Sequence, residues 1–464
     1  MHEFRYKNDL LHCEDVSIES IAKKVGTPFY LYSYATLVSH FRKLRDALSD
    51  LSPLICFSMK ANSNLAVCRA LVREGSGLDV VSGGELYKAL RIGVNPKKIV
   101  YASVGKTQSE IKEAVKAGIL LFNGESLPEL ALINKVSKDF GCNTSVSLRI
   151  NPDVSARTHR YTSTGKAVNK FGVDIDAAKA IFLDRDKYPN LDLVGVHVHI
   201  GSQITEAEPF VRAIKIALDF IKQLSIRGVK VSWLNIGGGL GIIYSKEKPQ
   251  TARDFAKAIV PLFKKSRLKI ILEPGRFIAG NSGILVTRVT YVKETHIKRF
   301  IVIDAGVNDL IRPALYNSYH EILPVRTSWF LTPHLWSRAD VVGPICETAD
   351  FLARNRKLPP VESGELLAVM GAGAYGFTMA SNYNSRPRPA EVLVIKNRFG
   401  FEKDGKTLSI ILTRREIGDI AGTTTETTIR TLSEFVKEGS IKLLGKKILI
   451  LNSDKLTLSA NLHD

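Results

Sequence analysis

The chain has 464 residues, 45% of them hydrophobic and 24% charged, with a mean hydropathy of +0.01; this is ordinary globular composition, long enough for two or three domains with sizeable cores. No apolar run approaches the roughly 18 residues of a membrane span, MHEFRYKNDLLHCEDVS at the start has no apolar leader core, and five cysteines without CxxC spacing argue against a disulfide framework or a zinc site. A cytoplasmic protein with no membrane contact and no metal is expected, and the formal charge of +19, spread along the chain, reads mainly as a lysine bias rather than a nucleic-acid footprint.

Between residues 50 and 275, short β-branched runs alternate with helical patterns such as PFVRAIKIALDFIKQL. Strands are predicted to end at Met59, Val81, Ser103, Phe122, Ile150, Ile200, Ile236 and Glu273. Continuous apolar runs of this length suit strands buried on both faces of a parallel sheet. Eight βα units in about 225 residues match a TIM-type (β/α)8 barrel, whose sites gather just after the strands. Polar and glycine-rich residues do cluster there: Lys60, Ser82 to Glu85, Asn151, His197 and His199, Gly237 to Gly239, and Glu273 to Arg276. From about Gly283 the runs ILVTRVTYVKE, RFIVIDAG, SRADVVGP, ELLAVMGA and PAEVLVI lack long helices between them. They read as a mostly antiparallel β domain, a barrel or sandwich, to which FYLYS near residue 30 contributes a strand.

Several of these residues carry chemistry. Gly237, Gly238 and Gly239 lie between a strand and a helix start, where backbone amides can cradle a phosphate with help from Arg276; a tight turn that needs glycine is the plainer reading. Lys60 ends an apolar strand at the barrel mouth. A desolvated lysine suits Schiff-base chemistry, and a rim lysine reaching for water explains it equally well. Glu273 is placed to hold a pyridine nitrogen protonated, which turns a cofactor ring into an electron sink; the alternative is a salt bridge to Arg276. His199 could stack on a cofactor face, with His197 on the same side of the strand. A metal pair there lacks carboxylates or thiols at ligand spacing.

The motifs FSMKAN, LDVVSGGEL, HVHIGSQ, NIGGGLG, EPGR, GPICETAD, GAYGF and SNYNSRPRPAEVLV, in that order from about residue 10 to 395, resemble the fold-type III pyridoxal phosphate (PLP) decarboxylases of alanine racemase-like fold. Within them the chain is most similar to the diaminopimelate decarboxylase group. The resemblance implies Lys60 as the Schiff-base lysine, His199 as the ring-stacking histidine and Glu273 as the pyridine partner. It implies cofactor contacts for Ser202, Gly237, Gly238, Gly239, Gly275, Arg276 and Tyr375. Substrate would be held by Arg276, Arg312, Tyr316, Glu347 and Tyr375, and Cys346 would supply a proton from the other subunit of a homodimer. The expected reaction is loss of CO2 from meso-2,6-diaminopimelate to give L-lysine, the last step of lysine biosynthesis. An arginine at 312 suits a second carboxylate, whereas ornithine ends in an ammonium and would want acids. An ornithine- or arginine-type decarboxylase is the nearer alternative, and a PLP-linked transcriptional regulator the farther one.

The end of the chain departs from that family, whose last strand and short helix after EVLV are replaced. Thr413 with Glu416 forms a capping-box pattern, Gly422 breaks the helix, a second amphipathic helix starts near Thr424, and IKLLGKKILIL reads as a two-stranded wing. Over about 50 residues this resembles the winged helix-turn-helix of the Crp/Fnr regulators. The resemblance implies possible DNA contacts from Thr424, Thr425, Glu426, Thr427 and Arg430, with Lys446 and Lys447 on the wing. Thr425 stands where that family often has arginine, and no cyclic-nucleotide sensor precedes the motif. The expected domains are a barrel over 30–282, a β domain from 1–29 with 283–404, and a winged helix over 405–464.

Overall fold

Eight short parallel strands between residues 54 and 272 close on themselves. They are Leu54–Ser58, Gly77–Val80, Ile99–Tyr101, Leu121–Gly124, Thr144–Arg149, Leu191–His197, Trp233–Asn235 and Lys269–Leu272, and each pairs in parallel with the next. Strand eight returns to strand one through Ile271 and Leu54, so the barrel has no edge to protect. The computed structural model describes residues 2–155, 170–264, 266–327, 333–394, 407, 425–445 and 447–452.

Burial explains why these runs are strands. Ile55, Cys56 and Phe57 in strand one, and Ile270, Ile271 and Leu272 in strand eight, are all buried, as a sheet covered on both faces requires. The helices between them start where the sequence caps them. Asn64 accepts from the Ala66 and Val67 amides, and Thr107 with Glu110 closes a full capping box. Strand six ends at His197, three residues earlier than expected. The ladder stops there, so His199 lies in the loop beyond the strand and not on its face, and Gly201 follows at a φ of +143.

The second layer is an eight-stranded sheet ordered Ile322–Pro324, Leu366–Val369, Gly283–Glu294, Arg299–Ile303, Ser337–Val342 and Phe351–Leu358, with Phe29–Ser33 and Ala390–Val394 joined at its side. Most pairings are antiparallel, as expected; Arg299–Ile303 with Ser337–Val342 and Phe29–Ser33 with Ala390–Val394 run parallel. Phe29, Leu31, Ile284, Val286, Val325, Ala368 and Met370 form its own core. Tyr30 and Tyr32, on the opposite face of the Phe29–Ser33 strand, pack into the barrel core, which locks sheet and barrel together.

In the tail, a helix at Thr425–Lys437 precedes a hairpin of Ile441–Leu444 with Lys447–Ile450. Among its described residues Leu432, Ser440 and Ile441 are buried. Helix then wing is the expected order. The expected first helix around Thr413 and Glu416, Gly422, Thr424 and Lys446 lie outside the described residues.

Candidate active site

Lys60 occupies the turn after barrel strand one, and its ammonium meets a carboxylate. Lys60 Nζ donates to Asp79 Oδ2 at 3.3 Å, and Ser58 Oγ donates to the same oxygen. Asp79, in strand two, is fully buried. Burial pulls the Lys60 ammonium down most, but the charges of Asp79, Tyr375, Glu273 and Glu85 together outweigh it and the net shift is upward. Burial, reinforced by the Glu273 charge, pushes the Asp79 carboxyl up to about 7. The lysine is therefore more than desolvated: it has a partner that holds its proton on the amine. Its side chain keeps 37% of its surface open at the barrel mouth, so a ligand can reach it.

Glu273 follows strand eight and faces the same mouth. Its Oε1 accepts from Asn123 Nδ2 at 2.8 Å and from Asn235 Nδ2 at 2.6 Å. Its Oε2 lies 3.5 Å from His197 Nε2. Burial pushes this carboxyl up, yet His197, Lys60 and the Asn235 amide outweigh it, so Glu273 titrates below the usual carboxylate range. The alternative salt bridge to Arg276 does not form. Arg276 instead donates to Ser202 Oγ, through Nε at 3.3 Å and Nη2 at 3.2 Å, and to the Tyr244 hydroxyl at 2.6 Å. Its guanidinium also stacks on the Tyr375 ring at 4.8 Å.

The three glycines have a steric reason to be glycine. A Cβ at Gly237, Gly238 or Gly239 would come within 2.7 Å of His199, 2.1 Å of the Glu273 carbonyl or 2.4 Å of the Gly201 carbonyl respectively. Gly237 N donates to Asn235 Oδ1 at 2.9 Å and Gly238 N to His199 Nδ1 at 3.2 Å. The second bond fixes the His199 tautomer, because Nδ1 must carry a lone pair there. Burial, then Arg149 and Lys60, hold the His199 ring well below its usual range, so it is neutral. Gly275 is just as tight: a Cβ would lie 2.8 Å from that of Ala61.

The β domain covers the mouth. Tyr375, at a φ of +57, donates its amide to the Ala61 carbonyl at 2.8 Å, and Thr378 Oγ1 donates to the Lys60 carbonyl at 3.1 Å. Arg312 sits over the Tyr244 ring at 5.3 Å and the Tyr316 ring at 5.8 Å. Arg276 and Arg312 are both buried. Among the described residues neither guanidinium is paired with a carboxylate. Cys346 and Glu347 stand apart from this cluster on one chain. Both are exposed; the Cys346 amide donates to Asn384 and Glu347 accepts from the Tyr383 hydroxyl.

Sequence inspection missed Asp79, Asn123, Arg149, Asn235, Tyr244 and His320. Four of them share a signal that was available: each is a polar residue in the C-terminal half of an otherwise apolar barrel strand, as in LDV, LFNG, SLR and WLN. Arg149 ties the site to strand four, donating to Glu125 Oε1 at 2.8 Å. Among the described residues no cluster of histidine, cysteine and carboxylates could hold a metal, and no helix is long and apolar enough to cross a membrane.

Comparison with known proteins adds to this geometry. Residues 34–280 match the family model for the pyridoxal-dependent decarboxylase, pyridoxal binding domain, and residues 388–458 that for a Crp-like helix-turn-helix domain. The chain is 46% identical to the diaminopimelate decarboxylase of Vibrio cholerae over 411 residues, covering 88% of this chain and 97% of that one. It is 46% identical to the diaminopimelate decarboxylase of Aquifex aeolicus, over 84% of this chain and 91% of that one. The crystal structure of the Helicobacter pylori diaminopimelate decarboxylase complexed with L-lysine superposes with a TM-score of 0.77 at 40% identity, covering 81% of this chain and 94% of that one.

Proposed function

The chain belongs to the diaminopimelate decarboxylases of the pyridoxal-dependent decarboxylase family, and from that premise we propose what each part of its site does. It is a carboxy-lyase that uses pyridoxal 5'-phosphate to convert meso-2,6-diaminopimelate into L-lysine and CO2. The residues fit that cofactor: an open lysine, an ionised buried carboxylate across the mouth, and a glycine cradle that any Cβ would fill. When bound, the cofactor supplies an aldehyde for amines and a protonated ring that takes up the electron pair CO2 leaves behind.

Lys60 holds the cofactor, and Asp79 holds the free lysine's ammonium in place at the mouth. Glu273, fixed by Asn123 and Asn235, keeps a proton on the pyridine nitrogen. His199 presents the face of its neutral ring. The amides of Gly237 and Gly238 already have side-chain acceptors, so Gly239, Gly275, Ser202, Arg276 and Tyr375 carry the phosphate contacts. Arg312, with Arg276 and Tyr316, holds the carboxylate that must survive. Cys346 delivers a proton to the reacting carbon and Glu347 binds the distal ammonium; both act in the site of a second copy, which accounts for their exposure here and makes the working unit a homodimer. A cytoplasmic location belongs to the same reading, and five free cysteines suit a reducing compartment.

One observation carries the substrate: two buried guanidiniums near Tyr375, which also neighbours Lys60, with no carboxylate partner among the described residues. A buried cation without a partner is costly, and a substrate that keeps a second carboxylate supplies the partner. The test is CO2 release from meso-diaminopimelate against ornithine at equal concentration. Turnover of the first alone is expected; turnover of ornithine at a similar kcat/KM would contradict it.

A second reading concerns the tail, and rests on the helix at Thr425–Lys437 running into a hairpin. The tail binds duplex DNA through Thr425, Glu426, Thr427 and Arg430, with Lys447 on the wing and Thr424 and Lys446 at positions outside those described. A salt titration of full-length protein on DNA from upstream of its own gene should show affinity falling as salt rises. Absence of binding at low salt, or no salt dependence, would refute it.

A further inference from the structure

His320 belongs to no role assigned so far, yet it is completely buried between the β domain and the site. Its Nδ1 lies 2.9 Å from the Met370 carbonyl. A carbonyl only accepts, so Nδ1 carries the hydrogen. Nε2 then holds the lone pair, and Arg312 Nε donates to it at 3.4 Å. The two neighbours therefore dictate one tautomer. Arg356 donates to the His320 carbonyl at 2.7 Å, and the Tyr244 ring meets the imidazole edge-on at 5.4 Å, so backbone and ring are both fixed. Arg276, Arg312 and Arg356 all disfavour a charged imidazole, and burial disfavours it most.

Arg312 is held at a second point, where Nη2 donates to Ser318 Oγ at 3.2 Å. A guanidinium has five N–H donors. Nε is taken by His320 and one hydrogen of Nη2 by Ser318. Three remain, two on Nη1 and one on Nη2, and with Nε taken the Nη1–Nη2 end of the fork is the edge left with donors on both nitrogens. A carboxylate can then be gripped end-on by Nη1 and Nη2 together but not from the Nε side.

We propose that His320 is a positioning residue for substrate selection: by accepting from Arg312 Nε it turns the end of that guanidinium toward the substrate carboxylate that is not lost. This deepens the substrate reading above and rests on it.

Two substitutions separate positioning from packing. In His320→Asn the side-chain amide can still meet Met370 but is too short for Arg312, whereas in His320→Gln it reaches toward Arg312. Both are neutral, polar and close in size. The probes are two competitive inhibitors of the holoenzyme: L-lysine, which keeps the carboxylate, and 1,5-diaminopentane, which lacks it. His320→Asn should weaken L-lysine and raise KM for meso-diaminopimelate about 10- to 100-fold, the loss of one hydrogen bond to a charged group. It should leave diaminopentane inhibition and kcat within about threefold, since neither depends on a carboxylate grip. His320→Gln should recover most of the L-lysine affinity. Equal losses for both inhibitors, or a glutamine variant no better than asparagine, would overturn the proposal. The wild-type protein tests the underlying substrate reading separately: L-lysine must bind more tightly than diaminopentane, and if it does not, that reading fails and this one with it.

Discussion

Replacing Arg312 tests the carboxylate grip where the structure is most explicit. The guanidinium is 4% exposed and is fixed at Nε and Nη2 by His320 and Ser318. With no carboxylate paired to it among the described residues, its charge is uncompensated until substrate arrives. Arg312→Lys keeps the charge but replaces a planar fork with a point charge. One of two parallel hydrogen bonds is lost, about 1.5–3 kcal/mol, so kcat/KM should fall about 10- to 150-fold. Arg312→Leu removes the partner of a buried carboxylate altogether. That costs about 2–5 kcal/mol, a fall of about 30- to 5,000-fold. Most of either loss should appear in KM, because the grip is the same before and during loss of CO2. The assay is initial-rate CO2 release across meso-diaminopimelate concentrations, with retained PLP absorbance as the check on the cofactor site. A leucine variant with unchanged KM would show that this carboxylate is bound elsewhere.

Asp79, His320 and Gly238 each offer a separate test of the site. Asp79→Asn removes the main influence that raises Lys60, so the lysine should lose its proton more easily; the pH profile of PLP capture by the apo-protein should move to lower pH, and an unmoved profile would remove Asp79 from this role. His320, held down to about 3 against 6.5 when unfolded, makes stability fall as pH drops from 6.5 toward 3, because the unfolded chain then binds the extra proton. Wild type should lose up to about 1.4 kcal/mol per pH unit relative to His320→Gln in denaturant melts over that window, and parallel curves would contradict a neutral buried ring. Gly238→Ala should cost about 1–3 kcal/mol of stability and loosen PLP, since the new methyl would meet the Glu273 carbonyl at 2.1 Å; an alanine variant of normal melting temperature and PLP affinity would show that the loop has slack.

The barrel was legible because parallel strands buried on both faces leave continuous apolar runs, and because catalytic side chains collect just past their ends. Lys60, Glu273 and the three glycines could be read that way. Strand six reads longer in the sequence than it is because VGVHVHI stays apolar and alternating through Ile200, while its ladder partners end at Asn235 and Arg149, which the pattern does not show. Asp79 and Asn235 are harder to read, because a single polar residue in an apolar strand carries no periodic signal, although a polar group facing a barrel mouth must have a partner. Arg312 was recognised by its motif, but the tether to His320 was not, since it depends on which imidazole nitrogen carries the hydrogen, and the Met370 carbonyl decides that from 50 positions away. Cys346 is expected to act from the other subunit and Glu347 to bind the distal ammonium of the substrate, and both are exposed on one chain.

Lys60 is the expected point of covalent attachment in the mouth formed with Asp79, Glu273 and the glycine loop. Borohydride reduction of the PLP-loaded protein, followed by peptide mass analysis, tests it directly. The expected result is one phosphopyridoxyl group per chain, on Lys60, with PLP absorbance lost in Lys60→Ala. A label on another lysine, or an alanine variant that still traps the cofactor covalently, would contradict the account.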